Sequence, residues 1–273
     1  MLLIRCTISS GKREAQGRSS RGARPGGKPP GLAFWAWRGT FGRVIKLFKK
    51  TPPTSSTLRA QFGVQVGQRL MANPAVQQVT IAGVQAFYHD NFLDPARCKQ
   101  LIRLIDTDRR PSTLLSDRPE KDFRTSESCD MDRWAPDVRP IDESIAALLG
   151  IDPLCGETMQ GQRYAPGQHF RAHHDYFFQS ESYWESVIKH GGQRTWTAMI
   201  YLNDVAEGGA TWFPQAGIRV APKRGLLLIW NNMQLDGSPN PLTLHEGMPV
   251  AKGVKYVVTK WFREGHWIKP ARG

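Results

Sequence analysis

From residue 156 onward the chain falls into short extended runs divided by Gly, Pro and Asn turns, and this punctuation constrains the fold more than any other feature. The runs are Gln160–Tyr164, Arg194–Leu202, Ala210–Phe213 after a Gly208-Gly209 turn, Arg224–Trp230 and Lys255–Phe262. Their length and their β-branched and aromatic content suit strands, and several strands with tight turns predict a sandwich or barrel. An apolar run at 84–92 predicts a first strand. Asp94-Pro95 then supplies an N-cap and an N1 proline for a helix carrying Cys98, Leu101, Ile102 and Ile105 on one face. Residues 111–135 are polar and broken, with a short strand expected at 123–126. A second helix is predicted from about Asp137 to Leu149, striped by Ile141, Ile145, Leu148 and Leu149 and stopped by Gly150. The expected class is mainly β with flanking helices (α+β), the helices covering one sheet face.

The net charge of +13 is confined to one end. Residues 1–70 hold fourteen Lys/Arg and one acid, Glu14, whereas residues 71–273 hold twenty-three of each sign. A neutral main domain offers no basic face for nucleic acid. Residues 1–70 are expected to be a disordered basic extension and 71–273 the functional domain, with a catalytic core at about 156–265. The scattered cysteines, Cys6, Cys98, Cys129 and Cys155, form no C-x-x-C pair and suit a reducing compartment. A cytoplasmic location is the expectation, or a mitochondrial one if the Arg- and Ser-rich extension is a presequence. No segment reads as a secretory signal or as long enough to span a bilayer. Oligomeric state leaves no mark on the sequence.

The chemistry starts from Tyr164-Ala165-Pro166-Gly167-Gln168-His169-Phe170-Arg171-Ala172-His173-His174-Asp175. On an extended backbone His173 and Asp175 point to the same side and can fill two adjacent corners of a metal site. His174 points the other way. Downstream, His190, His245 and His266 compete as third ligand, and His245 is favoured because the final strand can return beside the His173 strand. Two His and one carboxylate on one face of a metal leave three positions open, the facial triad of non-haem Fe(II) oxygenases. Lys255, Val257, Thr259 and Trp261 share one face of the last strand. If that face is interior, it carries a buried cation that a dicarboxylate co-substrate would pair.

Together these residues resemble the prolyl 4-hydroxylase family of Fe(II)/2-oxoglutarate dioxygenases over about residues 84–265. The resemblance runs through Tyr164–Phe177, Gly192-Gln193-Arg194-Thr195-Trp196-Thr197, Tyr201-Leu202-Asn203-Asp204, Gly208-Gly209-Ala210-Thr211-Trp212-Phe213-Pro214 and Trp230-Asn231-Asn232. It continues in His245-Glu246-Gly247-Met248-Pro249-Val250, Gly253-Val254-Lys255 and Thr259-Lys260-Trp261-Phe262-Arg263. It implies a double-stranded β-helix, or jelly-roll, core. It implies that His173, Asp175 and His245 bind Fe(II), that Lys255 pairs with the distal carboxylate of 2-oxoglutarate, and that Tyr164 and Thr211 hydrogen-bond the same co-substrate. Arg194 and Trp261 fall where the family lines its substrate groove, and Arg124 falls in its substrate-covering loop. Phe170 stands where related enzymes often carry Tyr. Trp196, Trp212 and Trp230 read as packing residues.

The resulting expectation is a dioxygenase that uses Fe(II), 2-oxoglutarate and O2, with ascorbate as reductant, to hydroxylate a prolyl residue of a peptide or protein while 2-oxoglutarate becomes succinate. A hydroxylase of a free amino acid or other small molecule is the alternative. A nucleic-acid-base dioxygenase fits the neutral domain and Lys255 poorly, and a binding-only jelly roll has no reason to keep the triad and the lysine together.

Overall fold

The computed structural model describes residues 54–80, 83–114, 120 and 122–268. In chain order the elements are α1 (Thr57–Met71), β1 (Val76–Val79), β2 (Ala86–His89), α2 (Pro95–Asp108), β3 (Arg110–Pro111), β4 (Glu127–Asp130), α3 (Arg139–Leu149), β5 (Gln160–Tyr164), β6 (Phe170–His173), α4 (Trp184–Lys189), β7 (Arg194–Tyr201), β8 (Glu207–Gly208), β9 (Thr211–Phe213), β10 (Ile218–Val220), β11 (Leu227–Asn231), β12 (His245–Gly247), β13 (Val250–Lys252) and β14 (Lys255–Arg263). They form an eight-stranded sheet in the order β1-β2-β11-β7-β14-β5-β4-β3, a four-stranded sheet β10-β9-β12-β6, and the pair β13-β8. All strand pairs within them are antiparallel. This is the mainly β class with flanking helices that the sequence predicts.

Alternation along the central strands builds two apolar layers. From β7, Trp196, Ala198 and Ile200 join Leu227, Ile229, Val258 and Phe262 in a layer shared with Leu101 and Ile105 of α2 and Ile145 and Leu149 of α3. The intervening Met199 and Tyr201 join Tyr164, Phe213, Leu228, Trp230 and Val257 in the second layer, which includes residues of both sheets. Local chemistry sets the helix ends. Asp94 accepts from the backbone N–H of Arg97 at 2.8 Å, so α2 starts at Pro95 as expected. Gly150 ends α3 at φ 71°, and Arg69 of α1 donates to the α3 carbonyls of Ala147 (2.9 Å) and Leu148 (3.2 Å).

Four expectations change. The boundary at residue 71 is too late. Helix α1 is capped by Ser56 and buries Val66 and Leu70 in the helix-side layer, so the folded unit begins before Thr57. The sparse apolar face of α1, interrupted by Gly63 and Gly67, hides it from periodicity. The expectations for residues 1–53 lie outside the described residues. The first strand narrows to β2, and β1 precedes it. The strand expected at 123–126 lies instead at β4, while Arg124 makes a single bridge to Phe170. The last strand does not return beside the His173 strand: β14 lies between β5 and β7, and β12 pairs with β6. Among the described residues no helix is long and apolar enough to cross a membrane.

Candidate metal centre and the cavities around it

Pairing of β12 with β6 sets His245 directly opposite His173. Asp175 follows two residues beyond His173, past the end of β6. The ligand atoms of His173, Asp175 and His245 lie within 4.8 Å of one another. His173 Nε2 is 3.9 Å from Asp175 Oδ1 and His245 Nε2 is 3.8 Å from Oδ2, so each histidine faces a different carboxylate oxygen. The Nδ1 atoms face backbone carbonyls, Arg171 O at 2.8 Å and Thr243 O at 2.9 Å. With the proton on Nδ1 donated there, both Nε2 lone pairs are directed to the shared centre. Burial, reinforced by neighbouring His245, pushes the His173 imidazole down to about 3, which keeps it neutral and able to ligate. Burial alone would raise the Asp175 carboxyl. His245, His173, Arg194 and the Thr197 hydroxyl outweigh it and hold the group below the usual carboxylate range. Thr197 donates to Asp175 Oδ2 at 2.8 Å and accepts from Asn232 Nδ2 at 2.9 Å. Neutral imidazole nitrogens and one carboxylate, each oriented by a further hydrogen bond, fit a divalent non-haem metal.

Two cavities meet at these ligands. The tight one, about 30 Å³, is lined by all three ligands and by Tyr164, Thr211 and Lys255. Period-two alternation brings Lys255, Val257, Thr259 and Trp261 to it together, as expected. Lys255 is 2% exposed, and burial pushes its ammonium down to about 7. Among the described residues no carboxylate lies within 4.0 Å of it; the Tyr164 and Tyr201 rings stand 5.1 and 5.6 Å from Nζ. Tyr201 donates to Thr211 Oγ1 at 2.7 Å, which leaves the Thr211 hydroxyl its own proton to give. The Tyr164 hydroxyl donates to Gln162 Oε1 at 2.7 Å. A buried cation beside hydroxyls is a receptor for a carboxylate.

The wide cavity, about 610 Å³, opens from His173 and Asp175 toward Arg124, Phe177, Arg194 and Trp261. Arg194 lies 4.1 Å over the Trp261 ring and 4.8 Å over Phe177 while Glu157 grips its Nε (2.6 Å) and Nη2 (2.8 Å). Arg124 lies 4.7 Å over Phe170 and donates to Gln160 Oε1 at 2.8 Å and Ser126 Oγ at 3.1 Å. Burial lowers the Arg124 guanidinium from its ordinary value. Phe170 stacks on His173 at 3.6 Å between centroids, 15° from parallel, so its ring braces a ligand without offering a hydroxyl.

The structure thus gathers His173, Asp175, His245, Lys255, Tyr164, Thr211, Arg124, Arg194 and Trp261 around one centre. His169 and His174 stay outside the triad, held by the carbonyls of Asp122 and Pro241. His190 and His266, the other candidate ligands, also lie elsewhere, bonded to Ser186 O and Asp152. Trp196 is core, as expected, but Trp230 also lines the tight cavity, 5.0 Å from His245 edge to face. Sequence reasoning missed Glu157, Gln160, Gln162 and Thr197. A polar residue alternating into the site face of a strand, as Gln162 and Thr197 do, was the available signal.

Residues 159–263 match the sequence model of the 2OG-Fe(II) oxygenase superfamily. Prolyl 4-hydroxylase 5 of Arabidopsis thaliana is 36% identical over 203 residues, covering 65% of this chain and 68% of the relative. Prolyl 4-hydroxylase 2 of the same plant is 32% identical over 215 residues, covering 69% and 70%. The solved 2OG complex of a viral collagen prolyl hydroxylase from Paramecium Bursaria Chlorella virus-1 is similar at TM-score 0.52 and 26% identity, over 65% of this chain and 95% of that one. The two plant relatives, 36% and 32% identical and covered over more than two thirds of their length, make the chain a member of the prolyl 4-hydroxylase family of Fe(II)- and 2-oxoglutarate-dependent dioxygenases.

Proposed function

We infer that this dioxygenase hydroxylates a prolyl residue within a peptide or protein. The observation that carries the reading is the placement of one metal-ligand cluster between two cavities of opposite character: a tight one ending in a buried lysine, and a wide aromatic one holding arginines. When bound, Fe(II) with 2-oxoglutarate and O2 supplies a two-electron oxidation, yielding succinate, carbon dioxide and one hydroxyl on the substrate carbon. His173, Asp175 and His245 would hold the iron. Lys255 and the Thr211 hydroxyl would receive the distal carboxylate. Tyr164 would join them by exchanging Gln162 for that carboxylate. These contacts fix the co-substrate's far end and hence its orientation at the metal.

On the substrate side, Trp261 and Phe177 line the wide cavity and give it an aromatic wall suited to a pyrrolidine ring. Among the described residues, Nη1 of Arg124 and Nη1 of Arg194 have no hydrogen-bond partner, and both residues line the groove. They are placed to donate to carbonyls of an extended peptide, which a free amino acid lacks. Ascorbate belongs in the assay as reductant. The test is mass spectrometry of a proline-rich peptide and of free L-proline, each incubated with the Fe(II)-loaded full chain, 2-oxoglutarate and ascorbate. One added oxygen on peptidyl proline, matched by succinate, is expected. Hydroxylation of free proline with the peptide untouched would refute the peptide reading.

A further inference from the structure

We propose that Gln193 is a positioning residue for the substrate groove: its side-chain amide sets the wall segment that follows the metal ligand Asp175. The proposal rests on the peptide reading above. Residues 176–178 line the wide cavity and belong to no strand or helix, so no ladder holds them. Gln193 takes the place of a partner strand. The Phe177 N–H donates to Gln193 Oε1 at 2.7 Å, and Gln193 Nε2 donates to the Phe177 carbonyl at 2.8 Å. Both backbone groups of one wall residue are thus satisfied by a single, fully buried amide.

Phe177 matters because cations rest on it. Arg194 lies 4.8 Å and Arg263 4.5 Å from its ring centroid, and Arg194 also covers Trp261. Moving Phe177 would move the guanidinium that the groove presents.

The backbone of Gln193 is itself anchored from outside the groove. The Gln193 N–H donates to Glu264 Oε1 at 2.7 Å, and its carbonyl accepts from the Glu264 N–H at 2.8 Å. Glu264 Oε2 pairs with Arg59 Nη1 of α1 at 3.1 Å. Gly192, at φ 72°, makes room: a Cβ there would stand 2.3 Å from Glu264 Oε1. Helix α1 therefore reaches the groove wall through Arg59, Glu264 and Gln193 in sequence.

Gln193→Ala removes both bonds to Phe177 and the 3.0 Å bond that Gln193 Oε1 accepts from the Arg194 N–H, and Gln193→Met removes them while keeping side-chain volume, so the test survives if the alanine variant folds poorly. Using Fe(II)-loaded full chain, a proline-rich peptide is varied at saturating 2-oxoglutarate, and 2-oxoglutarate at saturating peptide. Hydrogen exchange at residues 176–178 is followed in parallel. Loss of a net buried hydrogen bond is worth roughly tenfold. The expected result is a peptide KM raised roughly tenfold, a 2-oxoglutarate KM changed less than about twofold, and faster exchange confined to the wall segment and the Arg194 amide. A peptide KM left unchanged by both variants overturns the proposal, as does an equal rise in both KM values, which would make Gln193 a general brace. If the unaltered chain hydroxylates no proline-rich peptide, the peptide reading fails and takes this inference with it; a variant failure beside a competent parent sinks this inference alone.

Discussion

Lys255 sits at a depressed ammonium value of about 7 because it is buried without a carboxylate partner. Binding a dicarboxylate would hold its charge in place and raise that value again. Proton linkage then makes 2-oxoglutarate binding pH-dependent, with a definite sign. Below pH 7 the lysine is already charged and affinity is flat. Above it, each pH unit requires a proton to be taken up on binding, so affinity falls. If the complex stays charged throughout, the apparent Kd at pH 8.5 should exceed that at pH 6.5 by about 25-fold. The same burial penalises the protein without co-substrate: lowering a lysine from 10.5 to about 7 costs on the order of 4 kcal/mol at neutral pH, a penalty that is full below pH 7 and vanishes as pH rises past 10.5. Lys255→Met should therefore raise the Tm of the co-substrate-free protein, while weakening 2-oxoglutarate binding roughly 10- to 100-fold and flattening its pH profile. Calorimetric titration with a redox-inert divalent metal in place of iron, at several pH values, reads the affinity; differential scanning calorimetry reads the Tm. A parent protein whose affinity is constant from pH 6.5 to 8.5, or a Lys255→Met variant that keeps the parent's slope, would refute the assignment.

Other parts of the site give equally direct outcomes. Thr197→Val removes the hydroxyl on Asp175 Oδ2 and should lower metal affinity about 10- to 100-fold in a metal titration. Glu157→Gln leaves the buried guanidiniums of Arg194 and Arg263 short of their counter-charge and should cost about 3–5 kcal/mol of stability by denaturant unfolding, with a higher peptide KM. A chain begun at Met71 loses the burial of Val66 and Leu70 and should be less stable by about 3–6 kcal/mol; an unchanged Tm would mean α1 is dispensable.

The legible parts of this molecule were those whose cause is local. Asp94-Pro95 and Gly150 mark helix ends because a cap acts within a few residues. His173 and Asp175 could be read because their spacing of two sets both side chains to one side, and Lys255 because alternation along the last strand groups it with Val257, Thr259 and Trp261. His245 was reached for an imperfect reason: the strand beside His173 is β12, begun by His245 itself, not the final strand. What escaped depends on partners far along the chain. Glu157 earns its role only when β7 and β14 bring Arg194 and Arg263 to it. Helix α1 buries few apolar side chains and instead comes close through Gly63, where an added Cβ would meet Asn231 at 2.8 Å, so no hydrophobic period announces it.

The facing of His173 and His245 across β6 and β12 also bears on how the fold is held together. A metal shared by these two side chains is a cross-link between positions far apart in sequence, fastening the edge strand β6 of the minor sheet to its neighbour β12 and drawing in Asp175 beyond the strand end. By the loop-closure reasoning used for disulfides, tying residue 173 to residue 245 restricts the unfolded chain by on the order of 4 kcal/mol. The centre that selects the oxidant is thereby also a rivet, and the four-stranded sheet would be the first region to loosen when the metal is withdrawn.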